Sequence, residues 1–179
     1  MLMNTRDGYG LIARSLHWLI AMLVAGMLLG GMLIFFLPPG GFRSVLIAIH
    51  KSTGVIILLL MAARLIWRIY NPRPRDLEDN PVLKAAARVL HIWLYVLLFI
   101  QPLSGILMSQ AYGYPVVFFG WFRLPPLIWN SPLLGGVFLE VHRASAVILV
   151  VVVVLHAAAA AKHHFIDRDR TLLRMLKGR

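Results

Sequence analysis

Four apolar blocks of roughly twenty residues each dominate this sequence, at about 15–37, 45–69, 89–111 and 139–161. A block of that length spans the hydrocarbon of a bilayer as a helix. Hydrocarbon offers no partner to an open N–H or C=O, so each block must satisfy its own backbone bonds. This overrides the strand preference of the valine run 150–154. The first block is too long for a signal peptide, and no convincing small-residue cleavage site follows Gly30 and Gly31. The expectation is an all-α, four-helix transmembrane bundle forming one domain over residues 1–179.

Composition supports this and removes other classes. The chain is 60% hydrophobic and only 14% charged, where a soluble domain is nearer half apolar and a quarter charged. The net charge of +11 therefore does not announce a nucleic-acid partner. Of the 18 basic residues, the outer connections hold only Arg43, Lys51, Arg123 and Arg143, and the rest lie at the termini or by the 71–81 turn. The positive-inside rule then places both termini in the cytoplasm, where basic residues meet anionic lipid. No cysteine is present, which excludes disulfides, thiolate metal sites and covalent c-type haem.

Seven histidines stand out: His17, His50, His91, His142, His156, His163 and His164. An ionisable side chain inside a membrane is costly and usually faces a partner within the bundle. Topology gives each a depth. His17 and His156 fall near the cytoplasmic face, and His50 and His142 near the external one. The 14 residues between His142 and His156 correspond to a rise of about 21 Å with both side chains on nearly one face. Two imidazole pairs stacked across a bilayer meet the needs of two non-covalent b-type haems, each iron held from both sides. Arg14, Arg64, Arg68 and Lys162 inside, and Arg43, Lys51 and Arg143 outside, are candidates for haem propionates. Ser52, Thr53 and Ser145 are candidates to orient the imidazoles. The seven carboxylates, Asp7, Asp76, Glu78, Asp79, Glu140, Asp167 and Asp169, are expected outside helix interiors, which leaves no carboxylate-bridged di-iron site.

The segments RSLHW (14–18), IHKSTG (49–54), RVLHIWLY (88–95), EVHR (140–143), LHAAAAAKHH (155–164) and TLLRM (171–175) resemble the bacterial cytochrome b561 family over nearly the whole chain. The resemblance implies haem ligation by His17, His50, His142 and His156, and quinone contacts at His91 and His163. Among family members it is nearest the short superoxide oxidase type, which implies electron transfer across the inner membrane from external superoxide to ubiquinone. Arg43, Lys51, Arg123 and Arg143 would draw a small external anion toward that face. Two other readings stand beside this one. One is an anchor subunit linking a redox partner protein, such as a hydrogenase, to the quinone pool. The other is a non-redox, histidine-bearing transporter.

Overall fold

The computed structural model describes residues 1–178 apart from 76 and 79. Asp76, Asp79 and Arg179, read above as part of the polar turn and the basic C-terminus, lie outside the described residues. Four long helices, α1 (Leu11–Phe36), α2 (Gly41–Tyr70), α3 (Pro81–Ala111) and α4 (Pro132–Phe165), carry the chain back and forth. All four are long and apolar enough to cross a membrane. A hairpin of β1 (Val117–Phe118) and β2 (Phe122–Arg123) interrupts the α3–α4 connection, and α5 (Thr171–Lys177) closes the chain. One end of the bundle carries both termini, and the other carries the hairpin.

The helices outrun the apolar blocks because their starts are capped by polar residues and proline. Asn80 Oδ1 accepts from the Val82 and Leu83 N–H groups, with Pro81 at the first helical position, so α3 begins eight residues before Val89. Ser131 and Pro132 do the same for α4. Glu140 thus sits inside α4, and His91 lies three turns into α3; both correct the expectation that they stand at helix beginnings. The start of α1 has no capping side chain. The N-terminal residues fold back instead, and Leu11 N–H donates to the Met1 carbonyl at 3.0 Å. Gly10 allows this, since a Cβ there would lie 2.3 Å from the Leu2 carbonyl oxygen.

Packing runs α1 on α2, α2 on α3, and α3 on α4. The main core is an apolar layer of Ile20 and Val24 of α1, Ile57 and Met61 of α2, Leu97 of α3 and Leu149 of α4, and a smaller cluster of Val55, Ile106 and Val116 packs against Phe118 and Leu124. Outside both the usual pattern inverts. Leu29, Leu59, Val147 and Val154 are largely exposed, while Ser52, Ser104, Ser109 and Ser145 are buried. Exposed apolar side chains of this kind face lipid, and the buried Ser104 and Ser145 hydroxyls bond across from α3 to α4 and back. The protein is a multi-pass membrane protein.

Ser52 does not orient an imidazole. Its hydroxyl bonds the Ala48 and Val117 carbonyls at 3.0 and 3.2 Å and accepts from the Phe119 N–H at 3.0 Å, fastening the hairpin to α2. At the opposite end α5 folds onto α1. Arg14 Nη1 donates to the Leu176 carbonyl at 2.8 Å, and Trp18 Nε1 to that of Met175 at 3.1 Å.

Candidate functional site

At the hairpin end α2 and α4 present His50 and His142 to each other, ring centroids 6.3 Å apart and planes at 77°. Small residues on the other two helices make room. A Cβ on Gly31 of α1 would lie 3.4 Å from His50 Cε1, and one on Gly105 of α3 would lie 3.1 Å from His142 Cε1. His142 Nδ1 donates to the Gln101 carbonyl at 3.0 Å, while the Gln101 side-chain amide donates to His142 Nε2 at 3.3 Å. Ser145 reaches the ring only through Gln101, whose Oε1 accepts its hydroxyl at 2.5 Å.

At the termini end α1 and α4 bring His17 and His156 to 6.1 Å, planes at 73°. His91 of α3 joins them, 5.3 Å from His156, with its Nδ1 donating to the Ala87 carbonyl at 2.6 Å. Arg64 of α2 donates to His17 Nδ1 at 2.9 Å. Arg64 and Arg68 both lie over the Tyr95 ring, at 5.9 and 5.2 Å. The core layer, with Leu149 midway between His142 and His156, separates the two clusters.

The spacing of each pair can be compared with what a shared metal needs. A metal–imidazole bond is about 2 Å; two in line, with the inner radius of a ring at each end, come to roughly 6 Å. Both pairs have that separation, with Gly31 beside His50 and Gly105 beside His142 at the hairpin end. The donor set is neutral nitrogen without carboxylate, which suits haem iron.

The remaining expected residues spread out. Lys51 lies over the Tyr114 ring at 5.9 Å, and Arg143 pairs with Glu140 at 3.1 Å on the surface. Arg14 is committed to α5. His163 is not beside His91. It lines an open cavity of about 370 Å³ with Leu77, Glu78, Asn80, Leu83, Lys162, Asp167 and Asp169. Its Nδ1 contacts Asp169 Oδ2 at 2.6 Å. His163, Asp167 and Asp169 could meet at one cation, but the Lys162 ammonium already sits 2.6 Å from Asp167.

Partial burial works to raise the Asp169 carboxyl, but bonds from Thr171 and His163 outweigh it and hold the group below the ordinary carboxylate range. A depressed carboxyl stabilises above its unfolded pKa and loses that contribution as pH falls through the folded value. The α4–α5 turn is therefore expected to loosen on acidification, and Asp169→Asn to loosen it already at neutral pH. Hydrogen exchange across residues 163–174 reads both; equal protection in the variant and the parent at neutral pH refutes this.

A family model described as prokaryotic cytochrome b561 matches residues 8–178. The chain belongs to the prokaryotic cytochrome b561 family. Among its relatives are two Escherichia coli K12 proteins. Cytochrome b561 homolog 2 is 38% identical over 97% of this chain and 93% of the homolog. Cytochrome b561 homolog 1 is 30% identical over 92% of this chain and 94% of the homolog. A protein of Yersinia pestis named probable superoxide oxidase CybB is 28% identical over 94% of this chain and 95% of that protein. As a b561 cytochrome, the chain binds haem b and takes part in electron transfer in a membrane.

Sequence reasoning missed Gln101, Ser104 and Gly105 of α3, which meet His142 in this cytochrome. A signal was present: QPLSG (101–105) puts glutamine, proline, serine and glycine into an otherwise apolar span.

Proposed function

We propose that this cytochrome carries two haems b and passes electrons across the inner membrane from external superoxide to ubiquinone near the cytoplasmic side. The observation that carries the proposal is the pair of facing imidazole sets, 6.1 and 6.3 Å between centroids, stacked along one bundle. His17 and His156 would hold the haem at the termini end, and His50 and His142 the haem at the hairpin end. Haem b would supply a one-electron carrier at each site, and two imidazoles holding the iron would favour electron transfer over oxygen binding.

The orientation rests on charge, with the basic termini end in the cytoplasm. Lys51, Arg43 and Arg143 at the hairpin end then draw a small anion from outside. Two superoxide ions each give up one electron and leave as dioxygen; ubiquinone takes both electrons with two cytoplasmic protons. His91 suits the proton side of that exchange. Its Nδ1 proton is committed to the Ala87 carbonyl, so its Nε2 accepts from a quinol hydroxyl, or donates to a quinone carbonyl once protonated. His163, in its separate cavity, would serve a proton path through Asp169 more readily than it would share one quinone with His91. The relative named as a probable superoxide oxidase supports the choice of donor.

Detergent-purified protein should show a b-type reduced-minus-oxidised spectrum with two haems per chain. Pulsed superoxide should reduce them in a stopped-flow cell, and added ubiquinone should make that reduction transient. A colourless preparation, or haems indifferent to superoxide, would overturn the reading.

A further inference from the structure

His142 is held unlike its three counterparts. Its Nδ1 donates to the Gln101 main-chain carbonyl at 3.0 Å. The Ser104 hydroxyl lies 3.3 Å from the same nitrogen and itself donates to that carbonyl at 3.1 Å. The ring reaches the α3 backbone because Gly105 has no side chain to stop it. A carbonyl only accepts, so the proton is on Nδ1 and the lone pair on Nε2. The Gln101 amide agrees, since it donates to that lone pair. Ser104 and Ser145 are 3% and 6% exposed, so water does not compete for these bonds.

Among the described residues neither His50 nor His156 bonds a main-chain carbonyl. His17 Nδ1 faces the Arg64 guanidinium, which only donates. A ligand imidazole that donates to a fixed carbonyl becomes more basic and favours the oxidised metal. A guanidinium beside the opposite cluster favours the reduced one.

We infer that the α3 notch formed by the Gln101 carbonyl, Ser104 and Gly105 makes the hairpin-end haem the lower in potential, so that an electron received there moves inward downhill. The inference rests on the reading of His142 as an iron ligand. Gln101, Ser104 and Gly105 are positioning residues that act through that imidazole.

Optical redox titration of the purified, haem-loaded protein tests it. His142→Ala first shows which α-band component belongs to the hairpin end. Gly105→Ala presses a Cβ against the ring and lengthens the bond to Gln101. It should raise that component's reduction constant about tenfold, or about 59 mV for one electron, and leave the other component still. Ser104→Ala leaves the carbonyl to His142 alone, so the same component should move the opposite way; this variant also serves if Gly105→Ala fails to hold haem. The inference falls if the hairpin-end component is the higher of the two, or if the substitutions move neither component or both equally. If His142→Ala depletes no haem, the ligand reading fails instead.

Discussion

Replacing either His50 or His142 with alanine should abolish about half of the low-spin α-band, and the double replacement should abolish no more. On the proposed ligation each imidazole would complete one pair, the rings facing across 6.3 Å. Loss of either partner therefore breaks the same coordination, and the two effects are not additive because the groups act as a unit. His17→Ala and His156→Ala should share the other half. Combining His17→Ala with His142→Ala should leave no low-spin haem. A pyridine haemochrome assay beside the difference spectrum distinguishes haem that has left from haem that stays with an open position. Depletion of one and the same component by His50→Ala and His17→Ala would falsify the pairing.

The second large effect lies where no cofactor is proposed. Leu149 is 2% exposed, two turns from His142 and two from His156, and it packs with Ile20, Val24, Ile57, Met61 and Leu97. Leu149→Ala opens a cavity in that layer and should cost about 2–5 kcal/mol. Leu149→Asp adds a carboxylate at mid-bilayer, about 2.5–3.5 kcal/mol on insertion scales. Against a typical stability of roughly 5–15 kcal/mol, the aspartate variant should fail to accumulate in membranes. The alanine variant should assemble with both haems and melt earlier. A Leu149→Asp protein with the parent's yield and melting temperature would refute the role given to this layer.

The bundle was legible because hydrocarbon leaves a twenty-residue apolar block one conformation. The facing histidines were legible because helix length converts sequence number into depth. His50 with His142, and His17 with His156, are the rings that come together. The depth argument did not carry sideways information. It offered Arg14 among the propionate candidates, and the structure shows that side chain bonded to α5. The resemblance, not depth, joined His163 to His91 as quinone contacts, and the structure shows His163 bonded to Asp169 after α4. Hydropathy put Glu140 at the start of a helix and not in its interior, because it marks where lipid ends and not where α4 starts. The contacts of Gln101 and Ser104 were hidden for a further reason: which α3 residues meet α4 depends on helix rotation, and the glycine that decides it reads in sequence as a helix weakness.

Ile20, Val24, Ile57, Met61, Leu97 and Leu149 form an apolar layer between the two histidine clusters. An electron passing it, as proposed above, would move as bare charge and meet the voltage of the membrane. In a cell whose interior is negative, an inward electron climbs that voltage, at about 2.3 kcal/mol per 100 mV for a full passage. A well-energised membrane would therefore slow this protein, and a de-energised one would release it.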